Sequence, residues 1–328
     1  MKLPVIPKEM YKSNPLMTVA FISYSLVLYV GAGIGAAYII NSNLTTVVKL
    51  LALVPIWIVA QQGLHLLGIL GHEGFHGNLH HNRIYSAMLG SFFSSMAASY
   101  LVTGYALTHW NHHKNTNKAT DPDTEIYSRY YNFWNRFLFS RFAGTKKYRK
   151  DTYSLAFGKP IDLGASPFKL NVLRRLAQWN IVFAACWFAV YLSIVILWPM
   201  VGLVSIFIPH MLASGFSGLR AYIEHSGTTQ DRLRNTRSYT SPLYTILFFG
   251  TNFHLEHHFY PQVPCYRLPR VHKWLQNAGF FANEECLIDS SILGPWQYVL
   301  SKHQYPSGLE QAKVNLSCET YGANCLQQ

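Results

Sequence analysis

His254-Leu255-Glu256-His257-His258 places three histidines at positions i, i+3 and i+4. On a helix those offsets share one face. His109-Trp110-Asn111-His112-His113 repeats the spacing, and His72 and His76 form an i, i+4 pair. His225 follows an apolar stretch. Neutral imidazole binds metals readily. One such cluster is compatible with packed core histidines, whereas three in one chain predict convergence on metal. The candidate ligands are His72, His76, His109, His112, His113, His225, His254, His257 and His258. They are too many for one ion. Shared between two five- or six-coordinate ions, they leave positions for water or oxygen. The cysteines, Cys186, Cys265, Cys286, Cys318 and Cys325, are odd in number and form no CxxC. That pattern speaks against an iron–sulfur cluster, a structural zinc or a disulfide framework. Two non-haem irons are the natural occupants, but imidazole also suits zinc, copper and nickel, so the spacing does not fix the metal. Ligating imidazoles usually donate their other N–H to an acceptor. Glu73, Asp121, Asp123, Glu224 and Glu256 are candidates, while Glu125 is expected to be solvated. His210 is expected to hydrogen-bond between helices.

Elements must carry these clusters, and the composition points to a membrane. Of the 328 residues, 50% are hydrophobic and only 13% charged, so charge is excluded from long stretches. The net charge of +12 comes without a recognisable nucleic-acid motif, and no nucleic-acid partner is expected. Residues 16–40 contain no charge; as a helix they extend about 37 Å, enough for a hydrocarbon core of roughly 30 Å. Residues 44–70 form a second span, with Lys49 near enough to its end to snorkel. Residues 176–198 and 201–219 form a second hairpin, joined by a minimal turn at Pro199 and Met200. Residues 84–107 are also apolar, yet one crossing there would put His109–His113 across the bilayer from His72–His76. A re-entrant hairpin or interfacial helices are therefore expected. Residues 127–175 mix aromatic with basic side chains, the pattern of a headgroup interface.

The expected fold is all-α: four transmembrane helices in two hairpins, re-entrant or interfacial helices, and a cytosolic helical cap carrying a histidine-rich dimetal site. The chain reads as one domain over 1–328, with 71–175 and 220–328 cytosolic or interfacial. Of the 27 Lys and Arg residues, only Lys49 falls near an outer turn. The positive-inside rule then places both termini and all histidine clusters in the cytoplasm. His80 is expected to continue the face of His72 and His76. The ending Cys325-Leu326-Gln327-Gln328 is not read as a prenylation box, because Gln327 is not aliphatic.

The three histidine groups, with His225 after the last span, resemble the membrane fatty acid desaturase superfamily. The resemblance runs from about residue 44 to 275. It includes Asp121-Pro122-Asp123 and Asn252-Phe253-His254-Leu255-Glu256-His257-His258. It implies four membrane helices, a cytosolic cap and a dinuclear iron centre that activates O2. The implied activity is desaturation of a fatty acyl or other lipid chain. Hydroxylases, ketolases and acetylenases share the motifs. His254 stands where front-end desaturases often carry Gln. Ala221 stands where some members supply an Asn ligand. The expected substrate chain lies below the metals among the apolar spans. With no GxGxxG after a strand and no ferredoxin-type cysteine set, a separate ferredoxin or cytochrome b5-like electron donor is implied. The first rival is a hydroxylase or ketolase acting on a carotenoid or other lipid. A more distant one is a membrane metal carrier, which would set ligands along a transmembrane path.

Overall fold

The computed structural model describes residues 3–97, 100–283, 285–300 and 305. Cys318 and the ending Cys325-Leu326-Gln327-Gln328 lie outside them. Four helices are long and apolar enough to cross a membrane: α1 (Pro15–Ile40), α2 (Thr46–His76), α7 (Leu170–Leu197) and α8 (Pro199–His225). Between the hairpins lie α3 (Arg83–Ser94), α4 (Val102–Asn115), α5 (Pro122–Tyr127) and α6 (Phe133–Ala156). After α8 come β1 (Arg237–Tyr239), α9 (Pro242–Leu247), α10 (His254–Phe259), α11 (Leu268–Asn277), α12 (Phe280–Asn283), β2 (Leu287–Asp289) and α13 (Gly294–Leu300). The all-α membrane architecture stands, with one small addition. β1 and β2 pair in parallel, Ser238 opposite Ile288.

Local chemistry sets the helix ends. Asn14 caps α1, its side chain accepting from the Leu16 N–H at 2.9 Å, with Pro15 in the first turn. Lys49 does more than reach for water: its Nζ donates to the Ile40 carbonyl at 2.8 Å and closes the end of α1. Pro199 and Met200 do not form a bare turn. Pro199 opens α8, where its missing N–H costs nothing. α2 and α8 also run past the apolar stretches that announce them, and their extra turns carry His72, His76 and His225. α1 and α8 each contain a widened π turn, Val27–Gly31 and Leu203–Phe207. Nearby, Trp57 Nε1 donates to the Val204 carbonyl at 2.8 Å, and Ser205 Oγ to the Gly33 carbonyl at 2.9 Å.

The apolar stretch 84–107 is not one continuous helix. α3 folds back along α2, with Gly74 packed on the Ser86 carbonyl and Gly90, and Gly71 on Ser94. The chain then breaks, and α4 returns toward the end of α2. Asn180 on α7 satisfies that break. Its Oδ1 accepts from the Thr103 N–H at 3.0 Å, and its Nδ2 donates to Ser95 Oγ at 3.0 Å and the Tyr100 carbonyl at 3.2 Å. Irregular backbone at membrane depth survives only when buried protein groups satisfy it in this way. α6 packs against α4 and α8 and exposes Trp134, Phe139, Phe142 and Tyr153.

Candidate metal centre

The histidines separated by up to 186 residues in sequence meet at one end of the bundle. His72, His76, His109, His113 and His257 offer nitrogens within 4.8 Å of one another. His112, His225 and His258 form an adjoining group, and His225 joins His254 and Glu224 in an overlapping one. The two HxxHH segments are used in opposite senses. On α4, the i, i+4 pair His109 and His113 faces the first group while His112 turns to the second. On α10, His258 faces the second group and His254 the overlapping one, while His257 turns to the first. The i+3 residue in each segment therefore stitches the two groups together.

Residues next to the clustered histidines fix ring orientation. His72 Nδ1 lies 3.1 Å from Glu73 Oε1; Glu73 Oε2 accepts from the Cys265 N–H at 2.8 Å and Asn78 Nδ2 at 3.1 Å. His112 Nδ1 donates to Asp121 Oδ2 at 2.9 Å. Asp121 is itself held by the Asn117 N–H at 2.7 Å and the Asp123 N–H at 2.9 Å. His225 Nδ1 donates to the Asn235 carbonyl at 3.1 Å. These contacts leave the Nε2 atoms to converge. Glu256 behaves differently from the other acids singled out in the sequence. Its carboxylate takes Ser238 Oγ and His272 Nδ1 and, among the described residues, makes no hydrogen bond to a clustered histidine. Glu125 is exposed and pairs with Arg129. His210 bonds the Met96 carbonyl through Nε2 at 3.0 Å, as expected of a histidine between helices. His80 does not continue the α2 face, because Gly77 at φ 82° ends that helix one residue after His76.

The donor set fits metal. Nε2···Nε2 separations are 3.0 Å for His72–His257, 3.0 Å for His257–His113, 2.9 Å for His113–His109 and 3.1 Å for His225–His254. Metal–imidazole bonds of about 2.1 Å set nitrogens roughly 3.0 Å apart at right angles and roughly 3.4 Å apart in a tetrahedron. The observed spacing matches the right-angled case. Hydrogen bonding within the cluster leaves buried His76 Nε2 and His258 Nε2 without partners among the described residues, as nitrogens awaiting a cation would be. Burial, reinforced by neighbouring imidazoles, pushes His109, His113, His257 and His258 well below the usual histidine range. Those rings are neutral and keep a lone pair for a ligand bond. For His112, burial also lowers the pKa, but Asp121 and Asp123 outweigh it and bring the ring up to about 9.

The fatty acid desaturase family profile matches residues 47–283, most of the chain and all of the clustered histidines. The chain belongs to the fatty acid desaturase family. No curated protein matches it. Family membership makes this chain an oxidoreductase of the lipid-oxidising kind, and its four apolar helices agree with a membrane setting. The desaturase-family cluster opens onto a cavity of about 110 Å³. Its wall carries polar and aromatic side chains as well as Ile69, Ala221 and Leu268. Tyr100, Tyr105 and Tyr127 line it together with Arg141 from α6 and Arg220 from α8. The Arg141 guanidinium stands 4.8 Å over the Tyr100 ring. An apolar groove lined by Phe216, Ile223, Phe248 and Trp296 lies on the other side of Arg220 and Glu224. Arg220 had a sequence signal, being an i, i+4 partner of Glu224 beside an apolar stretch. Arg141 had none, for it sits among many basic residues of α6.

Proposed function

We propose that this protein is a diiron lipid desaturase. It takes two hydrogens from neighbouring carbons of an unactivated alkyl chain, using O2 and electrons from a separate donor. His72, His76, His109, His113 and His257 would hold one non-haem iron, and His112, His225, His254 and His258 the other. When bound, the irons supply the O2 activation that C–H cleavage requires. Reduction of O2 to two waters takes four electrons; the substrate supplies two and the donor two. The convergence of two adjoining histidine groups in a desaturase-family chain carries this reading.

The chain's own residues bind, orient and exclude water. Glu73, Asp121 and the Asn235 carbonyl fix the rings. The apolar groove at Phe216, Ile223 and Phe248 suits an alkyl chain. We place the termini and the centre on the cytoplasmic side, where the basic surface suits an acidic ferredoxin or a cytochrome b5-like protein. We treat residues 1–328 as one domain. A metal carrier would set its ligands along a path through the bilayer, and these gather at one end instead.

Expression in a desaturase-null host, followed by lipid and pigment profiling, tests the reading. The expected product is lighter than its precursor by two hydrogens. His257→Ala should abolish that product while the protein stays in the membrane; retained turnover would overturn the assignment. A hydroxylase or ketolase is the second reading, and the cavity wall favours it. Tyr100, Tyr105 and Arg141 would hold a polar group beside the reacting carbon. Its product gains an oxygen in the same mass measurement.

A further inference from the structure

We propose that the Glu224 carboxylate is a metal ligand, the donor that completes the second position of the centre. The inference rests on the dimetal reading above and adds to its ligand set. The first group holds two i, i+4 pairs, His72 with His76 and His109 with His113, and gains His257. The remaining donors fall in two overlapping sets, His112 with His225 and His258, and His225 with His254 and Glu224; taken as one second position, their four histidines leave it one donor short of the first. Ala221, one helical turn before His225, offers no donor atom.

Glu224 fills the gap. Its Oε2 lies 3.4 Å from His254 Nε2, which is in turn 3.1 Å from His225 Nε2. The residue is buried, 8% exposed, and lines the metal-side cavity. Its other oxygen, Oε1, accepts from Arg220 Nε at 2.7 Å. Arg220 is itself fixed by the Thr251 carbonyl at 2.7 Å and His65 Nε2 at 2.8 Å. This bracket aims the free oxygen at the second group, as neighbouring residues commonly orient a ligating carboxylate. One position is then bound by imidazole alone, and the other by imidazole and one anionic oxygen.

The competing account is that Glu224 only balances the charge of buried Arg220. Iron content and Mössbauer spectra of protein grown on 57Fe and purified in detergent separate the two. The wild type should hold about two irons, in two doublets of unequal isomer shift. Two identical sites would overturn the proposal without any variant. A wild type that binds no iron would instead refute the dimetal reading on which it rests. Glu224→Gln keeps the shape and the bond to Arg220, and should lose about one iron per chain with one of the doublets. In the double variant Arg220→Gln with Glu224→Gln, the charge is balanced again. It should stay one iron short if Glu224 is a ligand. Recovery of the second iron, or a single variant with an unchanged spectrum, would overturn the proposal.

Discussion

At the scale of single residues, the centre depends on what holds the far side of each ring. Asp121 is the clearest case, because it receives His112 Nδ1 and two backbone N–H groups at once. Asp121→Asn should weaken metal affinity by about 10- to 100-fold, measured by chelator competition. Cys265 makes a second test. Burial, with the Glu73 carboxylate adding to it, pushes its thiol well above the usual range. Its thiolate is therefore scarce, and iodoacetamide at pH 8 should leave Cys265 unmodified until the protein is unfolded, as mass spectrometry would show. The histidines themselves were legible, since i, i+3 and i+4 spacing marks a helix face without any tertiary knowledge. Their allocation was not. Which group His112 or His257 joins depends on how α4 and α10 cross, and spacing is silent on that. The pairing of Glu256 with His272, 16 residues on, was hidden for the same reason.

At the scale of elements, close backbone approach positions the ligands. A Cβ on Gly104 would meet the Tyr148 carbonyl oxygen at 2.0 Å. Gly104→Ala must therefore push α4 off α6 and carry His109, His112 and His113 with it. It should cost about 1–3 kcal/mol or more, read as a lower thermal midpoint in detergent, together with lost iron. Asn180→Ala strands the groups at the α3–α4 break; each buried polar group left alone costs about 1–3 kcal/mol. That variant should lower the midpoint further than its surface neighbour Gln178→Ala. The spans were legible because charge is absent from them apart from Lys49. Their ends were not, since α2 and α8 continue as helices after hydropathy falls, held by packing against α3 and α6. β1 and β2 were invisible: each has only three residues, and their pairing joins segments 50 residues apart.

At the scale of the whole molecule, the proposed orientation has a direct check. Ser42→Cys, in the turn between α1 and α2, should react with an impermeant maleimide added to intact cells. Lys118→Cys, beside the metal cluster, should react only after permeabilisation. The reverse pattern would invert the proposed topology. The bonds from Trp57 to the Val204 carbonyl and from Ser205 to the Gly33 carbonyl join α2 to α8 and α8 to α1. A slip of one residue, about 1.5 Å along a helix, would strand a carbonyl in hydrocarbon. These spans therefore cannot adjust their depths one by one. Where the bilayer is thicker or thinner than they are, the surrounding lipid must stretch or compress to meet them.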